Sequence, residues 1–239
     1  MKIESFPRKL FLFRNNLCMF AQTQNELHNM KHMSILAVSL LALVACTPEK
    51  KQEADYSQYV NPMIGTDFTG NTYPGAQVPF GMVQLSPDNG LPGWDRISGY
   101  FYPDTTIAGF SHTHLSGTGA GDLYDISFMP VTRPYKEAPA PLGIYSTFSH
   151  NDEAASAGYY RVLLKDYNIN VELTATERCG IQRYTFPEAE ASVFLNLKKA
   201  MNWDFTLDSK IEVVDSTTIR GCRLSQGWSP LQHVYFETR

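Results

Sequence analysis

The chain has 239 residues and a formal net charge of −4, with 20 Lys and Arg against 24 Asp and Glu. Because nucleic-acid binding favours a clustered basic surface, this charge balance gives no reason to expect a nucleic-acid partner. Aromatic residues make up 13% of the chain, a content that suits both β-structure and surfaces that bind carbohydrate.

The N-terminal segment is expected to lie outside the folded domain. Residues 30–46, MKHMSILAVSLLALVAC, join a basic start to an apolar run too short to span a bilayer, which is typical of a signal peptide. The end of this run, LVAC, resembles a bacterial lipobox and predicts that Cys46 is lipidated; an ordinary signal peptide with an incidental cysteine is the alternative. Residues 1–29 are interpreted as a mis-called N-terminal extension, and residues 47–56 as a polar tether.

Residues 56–134 are rich in Gly and Pro and predict long loops, which in a compact domain usually serve a function. Within them, GFSHTHLSGTGAGDLYD holds two histidines, four glycines and two aspartates. In an extended segment His112 and His114 would point to the same side. Three interpretations remain open: the pair chelates a metal ion, fixes a loop beside a polar ligand, or forms a structural polar cluster.

Trp94 lies in LPGWDRISGYFYPD, beside Asp95 and Arg96. An exposed indole flanked by hydrogen-bonding groups suits sugar recognition, because the apolar face of a pyranose stacks on the ring while its hydroxyls bind the polar groups. A tryptophan buried as a plug in a sheet is an equally weighted alternative. A glycosidase also needs two carboxylates about 5 to 9.5 Å apart, but no pair of loop aspartates is marked out by its context. No catalytic residue is therefore predicted in this chain.

The second half of the chain, residues 157–239, predicts a series of short strands. In NINVELTAT, Ile169, Val171 and Leu173 alternate with polar residues, which is the period-two pattern of a half-buried strand. Several such segments separated by turn signals predict an all-β fold, an antiparallel sandwich or barrel. Cys179 and Cys222 are expected to be buried free thiols, although an exported chain could pair them.

Five motifs together resemble the N-terminal domain of glycoside hydrolase family 92, the calcium-dependent, inverting exo-α-mannosidases of gut Bacteroidetes. They are VNPMIGTD, YPGAQVPFGMVQLSPD, GWDRISGYFY, IAGFSHTHLSGTGAGDLYDISFMP and VELTATERCGIQRYTFP. The resemblance covers about residues 56–239. It implies an antiparallel, supersandwich-like, sugar-binding β-sandwich over residues 57–239 with long Gly/Pro-rich loops. This sandwich would pack on a larger helical domain that carries the catalytic glutamate and aspartate and most of the calcium shell.

The resemblance also implies a role for the loops. They would contact mannose-containing glycans through the substrate-binding candidates Trp94, Asp95, His112, His114 and Asp122. Calcium is the expected cofactor of the complete enzyme, with no metal ligand assigned in this chain. Since family members continue well beyond the position of Arg239, the chain is expected to be a fragment that lacks the catalytic domain and is inactive alone.

Two other hypotheses stay open. The chain would be a lipid-anchored carbohydrate-binding module without a catalytic partner, or a small metalloenzyme built around His112 and His114. The leader places the protein in the periplasm or on the outer membrane or cell surface of a Gram-negative bacterium, attached to the membrane through Cys46.

Overall fold

The computed structural model describes residues 54–239, except residues 118, 120, 201 and 202. The interpreted extension, the signal peptide with Cys46 and most of the tether lie outside the described residues, so those interpretations stay predictions. Among the residues that are described, no helix is long and apolar enough to cross a bilayer.

The described residues form sixteen strands and three short 3-10 helices. The strands are Ala76–Gln77 (β1), Gln84–Pro87 (β2), Thr106–Ile107 (β3), Phe110–Ser111 (β4), Ser127–Thr132 (β5), Glu137–Ala138 (β6), Gly143–Ile144 (β7), Ser146–Thr147 (β8), Glu153–Ser156 (β9), Tyr159–Leu164 (β10), Ile169–Ala175 (β11), Gly180–Thr185 (β12), Ala191–Asn196 (β13), Phe205–Val213 (β14), Ile219–Gln226 (β15) and Gln232–Thr238 (β16). The 3-10 helices span Tyr56–Tyr59, Trp94–Arg96 and His150–Asp152.

The strands make three larger antiparallel sheets and two short ribbons. The first sheet has the order β1-β2-β4-β5-β13, the second β12-β11-β10-β9, and the third β14-β15-β16. β3 pairs with β8, and β6 with β7. Every one of these pairs is antiparallel, so the predicted all-β antiparallel fold is confirmed.

The core lies between the first two sheets. In the second sheet, Val162 opposes Val171 across the β10–β11 ladder, and both side chains are buried. One apolar cluster joins residues of the two sheets: Ala76, Leu85, Phe110, Met129 and Val131 from the first, and Tyr160, Val162, Leu164, Ile169, Val171 and Leu173 from the second. Two sheets that bury their facing apolar residues form a β-sandwich.

The first half of the domain is made mostly of loops, as the Gly- and Pro-rich composition predicts, but it also contains five strands that the sequence did not indicate, of which β5 is the longest. β5 runs through Pro130, which argues against a strand because proline cannot donate a ladder hydrogen bond. The structure accommodates it because β4 pairs with β5 only at Phe128. Pro130 is opposed on the other side by Val193 of β13.

The two described cysteines, Cys179 and Cys222, are both free. The expectation of free thiols is therefore confirmed, but the expectation that both are buried is wrong. Cys179 is exposed and Cys222 half-buried, because Cys179 lies in the turn between β11 and β12 rather than inside a strand.

Candidate functional site

The histidine segment continues the β4 strand beyond its last residue. The amide of Gln84 donates to the carbonyl of His112 over 2.8 Å, and the amide of His112 donates to the carbonyl of Asp125 over 2.9 Å. The segment is thus held between β2 and the loop that leads into β5. Both bonds are made by the backbone of His112, so they fix the direction of the segment at this residue.

His114 lies at the centre of a buried charged cluster. Its Nδ1 is 2.7 Å from the carbonyl oxygen of Gln84 and its Nε2 is 2.8 Å from Oδ1 of Asp88. Carbonyl and carboxylate oxygens accept hydrogen bonds, so both ring nitrogens of His114 face acceptors. The hydroxyl of Ser111 donates to the same Oδ1 over 3.1 Å, and the ammonium of Lys199 is 3.4 Å from Oδ2.

The charges around Asp88 keep its carboxylate ionised in the interior. Burial alone would raise the pKa of Asp88, but the charges of Lys199 and His114 and the hydrogen bonds from His114 and Ser111 together lower it below its usual value of 3.8. The side chains of Asp88 and His114 are both fully buried. A buried carboxylate is tolerated only when it is paired in this way.

Gly99 brings the Trp94 turn against this cluster. The residue has φ +88, and a Cβ built on it would lie 2.7 Å from Oδ1 of Asp88 and 3.0 Å from the His114 ring. A side chain at this position would therefore displace the ion pair as well as strain the backbone. A second link is the hydroxyl of Tyr124, which donates to the carbonyl of Ile97 over 2.5 Å.

Trp94 is 51% exposed, so it does not plug the sheet. Arg96, in the same 3-10 helix, makes a bidentate pair with Asp104 at 2.6 and 2.5 Å, and its guanidinium lies 4.7 Å from the centre of the Phe101 ring. These contacts hold the turn that carries the indole. Asp95 is half-buried next to Trp94, whereas the Arg96 guanidinium is occupied by Asp104.

His112 does not join the His114 cluster. Its Nδ1 donates to the carbonyl of Ile126 over 2.7 Å, and its Nε2 is 3.4 Å from the amide nitrogen of Gln182 on β12. Burial lowers the pKa of His112 below its usual 6.5. The two rings contact different groups, and both nitrogens of His114 are occupied by hydrogen-bonded oxygens. The pair is therefore not arranged to chelate a metal ion.

Asp122 and Asp125 tie the glycine-rich loop to the third sheet. The backbone amide of Trp228 and the side-chain amide of Gln232 each donate to Oδ2 of Asp122 over 2.7 Å. Asp125 pairs with Arg223 at 2.5 Å, with both side chains fully buried. These carboxylates are thus held by the protein itself, and Asp122 has its oxygens turned to protein donors.

Comparison with known proteins identifies the domain. The family model described as "Glycosyl hydrolase family 92 N-terminal domain" matches residues 59–239. The chain belongs to this family.

Solved structures of the family agree in fold. An α-mannosidase of family 92 from Bacteroides thetaiotaomicron, in complex with mannoimidazole, is 43% identical with a TM-score of 0.71, covering 76% of this chain and 24% of that one. An inverting mannosidase of the family from the same organism is 25% identical with a TM-score of 0.58, covering 79% of this chain and 29% of that one. An uncharacterised secreted glycosidase of Arthroderma benhamiae is 26% identical over 172 residues, 68% of this chain and 21% of that protein. The chain thus spans a quarter or so of the length of these relatives.

The three loop carboxylates of Asp88, Asp122 and Asp125 do not fit a calcium site. Each accepts from donors of the protein, and the remaining oxygen of Asp88 faces the Lys199 ammonium at 3.4 Å, so together they do not offer the six to eight oxygen ligands that calcium needs. No group of three or more His, Cys, Asp or Glu that could hold a metal ion is found among the described residues. No step of the chemistry is therefore derived through calcium in this chain.

The sequence pointed to one residue of the buried cluster and to the nearby Trp94, but not to the charged partners in the cluster. His114 and Trp94 stood out by residue type, whereas Asp88 and Lys199 did not. Asp88 follows β2 in a run that looks like an ordinary turn, and Lys199 follows β13 in a run that looks solvated. Nothing local marks this lysine as buried, because the carboxylate that pairs with it lies far away in the sequence.

Proposed function

We propose that this chain is the carbohydrate-contacting N-terminal domain of an exported, inverting, calcium-dependent α-mannosidase. The observation that carries the proposal is an exposed Trp94 on a turn held firmly from beneath. The ion pair of Arg96 with Asp104 fixes one side of the turn, and Gly99 seats it on the buried His114 cluster. A rigid exposed indole is a stacking platform for the apolar face of a mannose ring.

The similarity to a mannosidase structure in complex with mannoimidazole supports mannose as the recognised sugar. In the mechanism we propose, the domain binds and orients the sugar but moves no proton. The loop carboxylates of Asp88, Asp104, Asp122 and Asp125 all accept from protein donors. A glycosidase acid or base must instead reach the substrate oxygen or a water molecule.

The acid, the base and the calcium of the proposed enzyme therefore belong to the remainder of the longer family proteins. In this proposal, the chain provides one wall of the sugar-binding site through Trp94 and the half-buried Asp95 beside it.

The experiment combines binding with turnover. The 239-residue chain is titrated with α-1,2-mannobiose by calorimetry, and mannose release is followed with calcium and with a chelator. We expect binding without release, and we expect Trp94→Ala to weaken binding at least tenfold. The matched control is Trp228→Ala, because Trp228 is 78% exposed on a different loop. Calcium-dependent release would overturn the assignment of the chemistry, and equal binding by the two variants would overturn the role of Trp94.

Export and lipidation are a separate part of the proposal. They rest on the apolar run of residues 30–46 and its terminal LVAC. In a Gram-negative host, labelled palmitate is expected to be incorporated into the chain and lost in Cys46→Ser. Labelling of the Cys46→Ser chain to the same extent would end the lipoprotein interpretation.

A further inference from the structure

A second concave site lies on another part of the domain, between β12 and the β5–β13 ladder. Its volume is about 420 Å³, within the range of about 300–1,000 Å³ typical of small-molecule sites. It is lined mainly by His112, Phe128, Gln182, Tyr184, Val193 and Arg239. We call this site the β12 groove. None of the residues of the Trp94 turn lines it.

A directed chain of hydrogen bonds lines the β12 groove. The hydroxyl of Tyr184 donates to Oε1 of Gln182 over 2.6 Å, and this choice turns the amide nitrogen of Gln182 towards Nε2 of His112 at 3.4 Å. The hydrogen-bonded row continues through the His112 ring, because its Nδ1 donates to the Ile126 carbonyl. Within the described part of the protein, the second amide hydrogen of Gln182 and the lone pairs of the Tyr184 oxygen have no further partner.

Apart from Arg239 at its mouth, the polar side chains named in the β12 groove are uncharged at neutral pH. Burial lowers the pKa of His112 and raises the pKa of Tyr184, so the imidazole and the phenol are both neutral. The guanidinium of Arg239, at the mouth, is paired with Glu237 at 3.1 Å. A hydrogen-bonding row made of a neutral imidazole, amide and phenol suits a hydroxylated ligand better than an ion.

The rest of the β12 groove is apolar. The Phe128 ring stands edge-on to His112, with 5.7 Å between ring centres, and Val193 and Ile181 are 46% and 56% exposed at the rim. An aromatic and aliphatic wall opposite a short row of neutral hydrogen-bonding groups matches the two kinds of surface on a pyranose: its apolar C–H face and its hydroxyls.

We propose that the β12 groove is a saccharide-binding site for a neutral pyranose, with the Gln182 amide and the Tyr184 hydroxyl binding ring hydroxyls. The site is independent of the Trp94 turn and of the proposed function, because it shares no lining residue with that turn. It would give the domain a second point of attachment to a glycan chain.

The test is a titration of the isotopically labelled 239-residue chain with methyl α-D-mannopyranoside, followed by amide chemical shifts. We expect shifts at Gly180, Gln182 and Tyr184 in the unmodified chain and in Trp94→Ala. Val193→Trp should fill the mouth of the groove and abolish these shifts. Val213→Trp is the matched control, since Val213 is also a strand valine and is 72% exposed; it should leave the shifts unchanged.

Three results would overturn the proposal: no shifts on β12, shifts that persist in Val193→Trp, or shifts that disappear in Trp94→Ala. The same β12 shifts produced by sodium sulfate in place of the sugar would show an anion site and also overturn it. If Val193→Trp does not fold, Ile181→Trp at the more exposed side of the rim takes its place with the same expected loss. Failure of Trp94→Ala to affect mannobiose binding would count against the proposed function and leave the β12 groove standing.

Discussion

Arg223 offers the sharpest test of how the glycine-rich loop is held in place. Its guanidinium is fully buried and pairs with Asp125 at 2.5 Å. It also donates to the carbonyls of Leu123, Leu197 and Lys199 over 2.9, 3.1 and 2.8 Å. One side chain thus joins the loop before β5, the end of β13 and the third sheet. In Arg223→Met the volume is nearly kept, but the buried Asp125 carboxylate loses its charge partner.

The magnitude follows from the cost of an unpaired buried charge. Removing one partner of a buried ion pair lowers the free energy of unfolding by about 3–5 kcal/mol. With a urea dependence of about 2 kcal/mol per molar, the unfolding midpoint should fall by roughly 1.5–2.5 M. Because whole domains are stable by only about 5–15 kcal/mol, a loss of this size removes a large share of the stability.

The assay is urea unfolding followed by tryptophan fluorescence. The matched control is Arg220→Met on the same strand, where the guanidinium is 54% exposed and pairs with the exposed Glu212. Exposed ion pairs contribute little to folding stability, so the urea midpoint of Arg220→Met should not differ measurably from that of the unmodified chain. If Arg223→Met lowered the midpoint no more than Arg220→Met, the buried clamp would not stabilise the domain and the reasoning would be refuted.

Two further predictions concern the charged cluster and the neighbouring histidine. Gly99→Ala should lower the free energy of unfolding by more than about 1 kcal/mol, because its Cβ would meet Asp88 and its φ is +88. Gly143→Ala is the control for backbone strain alone, since Gly143 has φ +66 but no atom within 4 Å of an added Cβ. An equal loss of stability in both variants would refute the steric argument. Acid should destabilise the domain in two stages. The lowered pKa of His112 means that the unfolded chain binds its proton more readily, so stability falls as the pH drops below the unfolded value of 6.5. The lowered pKa of Asp88 gives stability that is present above 3.8 and lost as the pH falls through its folded value. Urea unfolding midpoints measured from pH 7 to pH 3 check both stages. His112→Gln should reduce the fall of the midpoint between pH 7 and pH 5, whereas His233→Gln, at an exposed histidine, should not. An unchanged pH dependence of the midpoint in His112→Gln would contradict the first stage.

Much of the fold could be predicted from residue order. The alternation of Ile169, Val171 and Leu173 with polar residues predicted a strand with one buried face, and the structure places β11 there with these three residues buried. β5 could not be predicted, because Pro130 within it disfavours a strand. Its position is set by pairing with β13, about sixty residues later in the chain.

The candidate site was predictable only in part. Trp94 and His114 are conspicuous by type, but whether Trp94 is exposed or buried depended on the Arg96–Asp104 pair beneath the turn. The proposal that two histidines two residues apart act together was reasonable for an extended segment. It did not hold because the two rings meet different groups: Asp88, just after β2, contacts His114, whereas Gln182 of β12 contacts His112.

The sequence by itself determined the fold class and the family, because strand periodicity and contiguous motifs are local properties that short runs of residues display. Only the tertiary structure decided which charges are buried together. Arg223 and Asp125 are 98 positions apart, and Lys199, shortly after β13, meets Asp88, directly after β2. Such pairs form because an ionised side chain can leave water only where an opposite charge awaits it, and that partner is selected by the packing of the sheets rather than by its place in the chain.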